Sequence, residues 1–435
     1  MPHEDTHQPT SQVALPPSAD IAVVGAGAAG LMAAIFAART APAGTTVVAL
    51  DGAKKIGAKI LVAGGGRCNV THHAVDHRAY AGWSRNAVKQ VLKRFSVEDT
   101  KAFFAAQGVT LKHEDTGKLF PTTDKARTVL DALLNAAETA GAALHHPARV
   151  DAINRTTDGF TVASDIGALR ARAVVLATGG KALPRTGSDG HGYGIARSLG
   201  HTVSSHVFPA LVPLILEPDH PLRALSGLTL PARIELRAGT GKRLIAFENS
   251  TLCTHFGLSG PSVMDISRHY TDARRTDPNA ALVANWLPAL AVEELDAALQ
   301  SLGKRSPARF LKEHLPERFA LMACTHAGID PSAPAAGLRR EQRRALLTAI
   351  TEMPLPVVGD RGFTHAEVTA GGIPLQEIDI RTMHSRVQPG LYACGEICDV
   401  DGRIGGFNFQ WAWATGFIAG SSAALALHQP HTPVA

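Results

Sequence analysis

The chain has 435 residues and a mass of 45.7 kDa, more than one ordinary hydrophobic core accommodates, so we expect two or three domains. A hydrophobic fraction of 45% and a charged fraction of 19% exclude disorder, collagen and coiled coil as the main architecture. The net charge of +5 permits an anionic partner but does not require one.

The N-terminal residues 1–19 are polar and proline-rich, with no basic segment followed by an apolar one, so we predict a disordered tail and no signal peptide. The most apolar stretch, residues 411–427, contains glycine and serine and predicts a buried helix, not a membrane span. The five cysteines have the spacing of neither a disulfide framework nor a metal site. These features favour a cytoplasmic protein with reduced thiols, no metal and no membrane contact.

A dinucleotide-binding motif opens the ordered part of the chain. Residues 21–24 form an apolar run typical of a buried parallel strand, GAGAAG follows at 25–30, and an alanine- and leucine-rich helical pattern continues to Arg39. In this motif the first glycine makes the tight turn, the second lets a pyrophosphate approach, and the third lets the helix pack on the strand. The predicted ligands are the motif residues Gly25, Gly27, Ala28, Ala29 and Gly30.

An acidic residue completes the motif. A second strand pattern at 45–50 ends in Asp51, which lies 21 positions after Gly30, near the spacing expected for a ligand of a ribose hydroxyl. An acid here favours the free ribose hydroxyls of NAD or FAD over a 2′-phosphate, and by itself it leaves the choice between those two cofactors open.

Later glycine-rich segments favour FAD. GGGRCN at 64–69 follows an apolar run, the strand pattern at 174–177 ends in Thr178-Gly179, and a further strand end at 391–395 precedes a glycine-rich turn and a long helix. A simple NAD-binding domain would be complete within about 150–200 residues. Here the fold is interrupted and completed near the C-terminus. A bound FAD fits this pattern, with its adenine end on the first motif and its flavin end near the last helix.

These motifs resemble the BaiN/RdsA family of NAD(P)/FAD-dependent oxidoreductases, also grouped as YhiN-like flavoproteins. The resemblance covers residues 20 to 425 and rests on GAGAAG at 25–30, GGGRCNVT at 64–71, ATGG at 177–180, TGSDGHGYG at 186–194, THFGLSGP at 254–261, EVTAGGIP at 367–374 and CGEICDVDGRIGGFNFQWAWATG at 394–416. The chain departs from the common family pattern at three places, which are His72, the segment Asp189-Gly-His191, and His384.

The expected fold class is α/β, with a Rossmann-like FAD-binding domain of the flavoprotein type that has two dinucleotide-binding domains. We predict a split FAD-binding domain at 20–197 and 366–428, because the region between them changes character. The predicted insert is a β-rich domain at 198–265 and 352–365, and it carries a helical subdomain at 266–351 with helix patterns at 291–302, 306–326 and 338–352. The resemblance implies the same three-part layout.

The glycine-rich segments supply the remaining predicted FAD contacts, and by the resemblance the block from residue 394 contacts the ribitol and the flavin pyrimidine. A helix N-terminus there would stabilise the negative charge of reduced flavin. An alternative role for Asp399 is to cap a helix. The predicted contacts beyond the first motif are Gly65, Gly66, Arg67, Asn69, Thr178, Gly179, Gly395, Glu396, Asp399, Gly405, Gly406, Phe407 and Asn408.

Two side chains are candidate proton donors for catalysis. Cys68 is either a donor near the ring or a small buried filler, since free cysteines are usually buried and inert. His255, in the THFGLSGP segment, is either an acid–base group or a histidine that holds loop backbone. A second GxGxxG is absent from the sequence, so we expect NAD(P)H to dock only transiently.

The resemblance implies several substrates: a uridine of 23S ribosomal RNA reduced to dihydrouridine, small amines oxidised with oxygen, and bile-acid enones. Residues 266–350 carry 12 Lys or Arg against 9 Asp or Glu, and Arg339, Arg340, Arg343 and Arg344 share a helix face. This face suits RNA phosphates as well as it suits plain solvation. We expect an NAD(P)H-driven reductase acting on ribosomal RNA. An amine oxidase or other small-enone reductase and an RNA-binding protein with structural FAD are the alternatives.

Overall fold

The computed structural model describes residues 14–82 and 84–427, and its chain divides into two compact units. The first unit contains the described residues up to Phe208 and those from Val368 onward, and the second is Pro209–Glu367. The predicted boundaries were residues 198 and 366. Most of the predicted N-terminal tail lies outside the described residues, but residues 18 and 19 belong to the first strand, because that strand begins at Ser18.

The part of the first unit that precedes the second unit in the chain contains most of its helices and strands. Its helices here are α1 Ala28–Thr40, α2 Ala58–Gly66, α3 Arg85–Arg94, α4 Val97–Ala106, α5 Ala126–Thr139 and α6 His191–Ser198. Its strands are β1 Ser18–Val24, β2 Val47–Leu50, β3 Thr71–His72, β4 Tyr80–Gly82, β5 Leu111–His113, β6 Lys118–Pro121, β7 Ala142–His145, β8 Val150–Thr156, β9 Gly159–Ser164 and β10 Gly167–Leu176.

The chain then enters the second unit through the short strand β11 Phe208–Ala210. The other strands are β12 Leu214–Leu216, β13 Thr229–Arg237, β14 Arg243–Thr254, β15 Gly257–Ser259, β16 Ala281–Asn285, β17 Met353–Leu355 and β18 Val357–Asp360. The helices are α7 Pro261–Thr276, α8 Val292–Ser301, α9 Pro307–Leu311, α10 Glu317–His326 and α11 Arg340–Thr351.

The first unit is completed by the last part of the chain, with β19 Val368–Ala370, β20 Ile378–Asp379, β21 His384–Ser385, β22 Leu391–Ala393, β23 Val400–Gly402 and α12 Phe407–Ala426. The apolar run predicted to be a buried helix is α12, and it packs against α1. A Cβ at Gly416 would lie 2.4 Å from the Ala29 carbonyl oxygen, and one at Gly420 would lie 2.1 Å from that of Ala33. Glycine is required here because the two helix backbones approach this closely.

The main sheet of the first unit has the strand order β20-β21-β22-β10-β1-β2-β7, and its five strands from β22 to β7 are parallel. The antiparallel strands β8 and β9 extend from the first half of β10. Residues 21–24 of β1 are at most 3% exposed, which fits a central parallel strand covered on both faces. This is the predicted Rossmann-like architecture.

The second unit contains a seven-stranded antiparallel sheet with the order β17-β16-β13-β14-β15-β12-β18. Strand β16 lies between β13 and β17, although residues 281–285 fall inside the segment predicted to be a helical subdomain. Its helices and sheet share one hydrophobic core. Trp286, which follows β16, packs on Phe319 of α10 with ring centroids 5.0 Å apart. The predicted boundary at residue 266 therefore divides residues that pack together.

Candidate functional site

Strand register brings four of the predicted site segments to one edge of the parallel sheet. Val24 of β1 pairs with Leu50 of β2 and with Leu176 of β10, and Leu176 pairs with Ala393 of β22. The segments that begin at Gly25, Asp51, Ala177 and Cys394 therefore all leave the sheet at its carboxyl edge. In open α/β sheets this edge is where ligands bind.

The three glycines of GAGAAG differ in their surroundings as the motif requires. Gly25 has a φ of +95°, and a Cβ there would lie 2.5 Å from the Ala177 carbonyl oxygen. A Cβ at Gly30 would lie 1.8 Å from the Gly25 carbonyl oxygen, so this glycine lets α1 pack on the turn. At Gly27 a Cβ would meet no atom of the described residues within 4 Å. The backbone at Gly27 is thus accessible to a ligand.

Helix α1 begins immediately at this turn, with Gly27 as its N-cap. Among the described residues no side chain caps it, and its first turn, which contains Ala28 and Ala29, carries no acidic residue. Free N–H groups and the positive end of the helix dipole therefore lie where a pyrophosphate is expected.

Asp51 is already bonded to the first motif. Its Oδ2 accepts a hydrogen bond from the Ala26 N–H at 2.6 Å, and its Oδ1 accepts one from the Ala53 N–H at 2.8 Å. A carboxylate oxygen can accept more than one hydrogen bond, so Asp51 keeps acceptor capacity for a ribose hydroxyl. Sequence spacing predicted the residue, but not its bond to Ala26.

The GGGRCN segment forms an unusual loop at the end of α2. Gly64, Gly65, Gly66 and Cys68 have φ values of +57°, +68°, +83° and +59°. A Cβ at Gly65 would meet no described atom within 4 Å. The Asn69 Oδ1 atom is buried and has no hydrogen-bond partner in the part of the chain that the structure describes. A buried acceptor of this kind is costly unless a ligand or water supplies a donor.

Arg67, which was expected to meet a phosphate, forms an ion pair with Glu114 at 2.6 Å and lies over the ring of Phe120 at 4.0 Å. The hydrogen bond that Arg67 donates to the Glu114 carboxylate raises the pKa of the guanidinium. Its charge is therefore compensated within the protein, which weakens the assignment of Arg67 as a phosphate ligand.

Cys68 has no solvent-exposed surface and belongs to the hydrophobic core of the first unit. Burial raises the pKa of its thiol to about 12. A substrate cannot contact the thiol in this conformation, and the thiol stays protonated near neutral pH. Both findings favour the role of a buried filler over that of a proton donor.

Two buried hydroxyls lie beside the segment that follows β10. Thr178 Oγ1 and Ser188 Oγ have no hydrogen-bond partner among residues 14–82 and 84–427. A Cβ at Gly179 would lie 2.7 Å from Ser188 Oγ, so glycine lets the two segments approach. Ser188 lies in the TGSDGHGYG motif but was not among the predicted site residues. A serine in a glycine-rich segment was the available signal.

Glu396 takes part in an internal network. Its Oε2 accepts a hydrogen bond from Lys59 Nζ at 2.5 Å, and its Oε1 accepts one from the Thr369 N–H at 2.9 Å. Thr369 Oγ1 in turn accepts from the N–H groups of Lys181 and Ala182. Sequence reasoning missed Lys59, because nothing local connects it to a residue 337 positions away.

Gly395 and Asp399, in the same block, also serve the fold. The Gly395 N–H donates to Thr415 Oγ1 at 2.9 Å, and its carbonyl oxygen accepts from Trp411 Nε1 at 3.1 Å, so α12 holds this residue on both sides. Asp399 Oδ2 accepts from Ser204 Oγ at 2.7 Å. The N-cap of α12 is Gly406, so Asp399 does not cap that helix.

The N-terminus of α12 forms a second potential anion site. Gly405 and Gly406 have φ values of +116° and +95°, and a Cβ at Gly406 would lie 2.6 Å from the Thr71 backbone. In the described chain the helix begins without a side-chain cap or an acidic first turn. Its free N–H groups can therefore bind a negatively charged group.

The two residues that follow Gly406 are used internally. Asn408 accepts from the Gly402 N–H at 2.8 Å and donates to the Gly402 carbonyl oxygen at 2.9 Å. The Phe407 carbonyl oxygen accepts from the Tyr80 hydroxyl at 2.7 Å. A cofactor would therefore meet the backbone N–H groups of this turn more readily than the Asn408 amide.

At the three places where the chain departs from the family pattern, the side chains contact other residues of the first unit. His72 Nε2 lies 3.2 Å from the Thr116 carbonyl oxygen, and burial lowers the pKa of His72. Asp189 forms an ion pair with Arg149 at 2.7 Å, and His384 Nε2 accepts from the Gly390 N–H at 3.0 Å.

His255, the second catalytic candidate, lies in the second unit between β14 and β15. Its side chain is exposed, and its ring packs edge-on against Phe256 with centroids 5.1 Å apart. The His255 carbonyl oxygen accepts a hydrogen bond from Arg223 Nε at 2.8 Å. The backbone bond thus holds the loop, and the imidazole lies at the surface.

The first unit fits FAD on its own chemistry. It combines an accessible glycine turn and a carboxylate at the carboxyl edge of the sheet with two uncapped helix N-termini. The buried side-chain oxygens of Asn69, Thr178 and Ser188 have no hydrogen-bond partner within the described residues. A dinucleotide offers the anionic phosphates and the hydroxyl donors that such a site requires.

The described helices include none that is long and apolar enough to cross a membrane. All five cysteines lie within the described residues and are free and buried. In the described ranges no three His, Cys, Asp or Glu side chains are placed to hold a metal ion.

Comparison with known proteins finds a matching family model and relatives that align over nearly the whole chain. The family model for the HI0933-like protein Rossmann domain matches residues 19–422. The chain is 35% identical to the 3-dehydro-bile acid delta(4,6)-reductase of Clostridium scindens over 409 residues, which cover 93% of this chain and 98% of that protein. It is 33% identical to the ribosomal RNA dihydrouridine synthase of Escherichia coli over 402 residues, which cover 91% and 96%.

A solved structure shows the same fold at low sequence identity. The 3-ketosteroid delta1-dehydrogenase of Sterolibacterium denitrificans is 14% identical, with a TM-score of 0.50, and the alignment covers 94% of this chain and 100% of that one.

Proposed function

The chain belongs to the HI0933-like protein family, and from this premise we propose that it uses NAD(P)H to reduce a carbon–carbon double bond, the C5=C6 bond of a uridine in 23S ribosomal RNA. It is an FAD-dependent oxidoreductase. The proposal for the substrate rests on one observation, the likeness of the whole chain to a ribosomal RNA dihydrouridine synthase.

The residues that would hold FAD lie at the carboxyl edge of the first unit. The α1 N-terminus at Gly27 would bind the pyrophosphate, and Asp51 would accept from a ribose hydroxyl. Asn69, Thr178 and Ser188 would exchange hydrogen bonds with the cofactor, since their buried oxygens need partners. The α12 N-terminus at Gly406 would stabilise negative charge.

Reduction of a double bond adds a hydride to one carbon and a proton to the other. When bound, FAD supplies the hydride that it has accepted from NAD(P)H. This chain supplies the proton, and we assign that role to His255, because its imidazole is exposed while its backbone is held by Arg223. Cys68 is the weaker candidate, since its thiol is fully buried.

A second candidate is a reductase of a small enone, which the likeness to the bile-acid reductase favours. The two candidates share the reduction of a carbon–carbon double bond. They differ in whether the substrate carries a phosphate backbone.

An anaerobic experiment tests the reductase proposal. The purified FAD-loaded protein is mixed with NADPH or NADH, and we expect the visible absorbance of the flavin to disappear. An unmodified 23S ribosomal RNA transcript is then added, and mass spectrometry should find dihydrouridine. If neither nicotinamide bleaches the flavin, the reductase proposal is wrong.

The same preparation separates the alternatives. Reoxidation by a 3-oxo bile acid with conjugated double bonds, with no product in the RNA, would support the small-enone candidate. Peroxide formed from an amine in air would support an oxidase. RNA binding without any turnover would support an RNA-binding protein with structural FAD.

A further inference from the structure

A group of cationic and aromatic side chains surrounds Phe256 in the second unit. We call this group the Phe256 cluster, and it consists of Phe256, Arg223, His255, Arg361 and His365. The two histidines are exposed, and the other three side chains are partly exposed. The cluster joins the THFGLSGP loop to the segment after β18, which contributes Arg361 and His365, neither of them a predicted site residue.

Arg361 is held in place from two sides. Its guanidinium carbon lies 4.4 Å from the centre of the Phe256 ring, and its Nη2 lies 2.8 Å from His365 Nε2. A guanidinium can only donate, so Nε2 accepts, and His365 Nδ1 carries the ring proton beside Thr364 Oγ1 at 2.9 Å. The aromatic ring and the histidine thus orient the guanidinium, and within the described residues its other N–H groups make no hydrogen bond.

Arg223 is fixed by backbone groups. Its Nε donates to the His255 carbonyl oxygen at 2.8 Å, and its Nη1 donates to the Leu216 carbonyl oxygen at 3.3 Å. The nearby Asp360 carboxylate accepts from the Gly362 N–H at 2.7 Å. In these contacts neither arginine is neutralised by a carboxylate. Two oriented positive charges therefore lie at an accessible surface.

We propose that the Phe256 cluster binds backbone phosphates of the RNA substrate. Arginine forks match phosphate oxygens, and their pre-orientation lowers the entropy lost on binding. This inference rests on the proposed function, because it names the surface that receives the RNA. It names a surface other than the arginines of α11, of which Arg343 is paired with Asp296 at 2.6 Å.

The test measures binding of the FAD-loaded protein to a fluorescent transcript of 23S ribosomal RNA over a range of salt concentrations. Arg361→Ala removes the charge. Arg361→Gln removes the charge but keeps a donor for His365 and a side chain over Phe256, so it guards against misfolding. Arg275→Ala is the matched control, because it removes one positive charge that the protein already pairs with Asp272.

We expect both Arg361 variants to bind the transcript about three- to tenfold more weakly near 0.1 M salt, with the slope of log K against log salt reduced by roughly one. Arg275→Ala should bind like the wild type. The rate at which NADPH bleaches the flavin should be the same in all four proteins.

Arg361→Gln with the affinity and salt slope of Arg275→Ala would overturn the inference. The inference would also be wrong if the Arg361 variants bound RNA normally but their flavin were bleached more slowly by NADPH. The cluster would then bind the dinucleotide instead of the RNA. Failure of the proposed function looks different. In that case the wild type itself forms no dihydrouridine and does not bind the transcript, and the inference falls with it. If the wild type modifies the transcript and Arg361→Gln binds it normally, only the inference is lost.

Discussion

Asp51 connects the ends of two neighbouring strands through its carboxylate. It accepts from the Ala26 N–H in the glycine turn and from the Ala53 N–H after β2. We predict that Asp51→Ala weakens FAD binding by about ten- to a hundredfold and lowers the stability of the cofactor-free protein by about 1–3 kcal/mol, because both a ribose acceptor and two charge-assisted bonds are lost. Reconstitution titrations and urea unfolding measure the two effects.

The control for Asp51 is Asp20→Ala. Asp20 also accepts a backbone N–H, that of Thr46, but it lies at the opposite end of the strands. It should lose stability and keep its affinity for FAD. Equal FAD affinity in both variants would contradict the role assigned to Asp51.

All five cysteine thiols, which lie within the described residues, are buried. Burial raises the pKa of Cys68 and Cys398 to about 12 and that of Cys253 and Cys324 to about 11, and it also raises the pKa of Cys394 well above its usual value. The thiolate is the reactive form, so we predict that the native protein at pH 8 reacts with Ellman's reagent only over hours. In guanidinium chloride all five should react within minutes. A fast thiol in the native protein would show that one of these sites opens.

The two candidate proton donors can be separated by substitution. We predict that Cys68→Ala keeps turnover within about threefold, whereas His255→Ala lowers it by about a hundredfold or more, as expected for loss of a general acid. Flavin bleaching by NADPH should be unchanged in both, because it precedes proton transfer to the substrate. The opposite order of effects on turnover would return the role to Cys68.

At the scale of single residues, the sequence predicts those residues whose role depends on the conformation of the local backbone. Gly25 and Gly30 follow from the motif, since a tight turn and a close helix leave no room for a side chain. The roles of Arg67 and Asn408 could not be predicted. Glu114, the partner of Arg67, lies 47 positions away and is brought to it by tertiary packing. Gly402, the partner of Asn408, lies six positions away across a turn whose shape the motif does not reveal.

Helices α1 and α12 approach one another through glycine. We predict that Gly420→Ala lowers the free energy of unfolding by about 1–3 kcal/mol, because its Cβ would lie 2.1 Å from the Ala33 carbonyl oxygen. Gly194→Ala in α6 is the control, since a Cβ there meets no described atom within 4 Å. It should gain about 0.5–1 kcal/mol from helix propensity. Urea unfolding compares the two, and equal stability would contradict the close packing.

Elements with strong periodicity were predicted well. The first strand and helix, the strand pattern at 45–50 and the final helix correspond to β1, α1, β2 and α12. Strand β16 was missed because its five residues lie between helical segments and pair with β13 and β17, about 45 and 70 residues away. Such pairing is a property of the folded sheet and leaves little local signal.

Each unit has its own hydrophobic core at the scale of the whole molecule. We predict that a fragment of residues 209–367 folds by itself, with cooperative unfolding and native-like circular dichroism, because the strands β12 to β18 and the helices α7 to α11 all lie within it. A matched fragment of residues 1–208 should fail to fold, since it lacks β22 and α12. If the fragment of residues 209–367 is disordered, the hydrophobic core of the second unit does not suffice for independent folding.

The sheet that carries the glycine turn is closed by strand β22 and helix α12, which come from residues 391–393 and 407–426. A ribosome therefore synthesises the whole second unit before it delivers the last pieces of the first. The second unit can fold on the nascent chain, while the early β1–α1 segment waits for its partner. We expect this apolar segment to be prone to aggregation until the last part of the chain has been synthesised. A nonsense mutation anywhere before the final helix would yield a protein unable to retain its flavin.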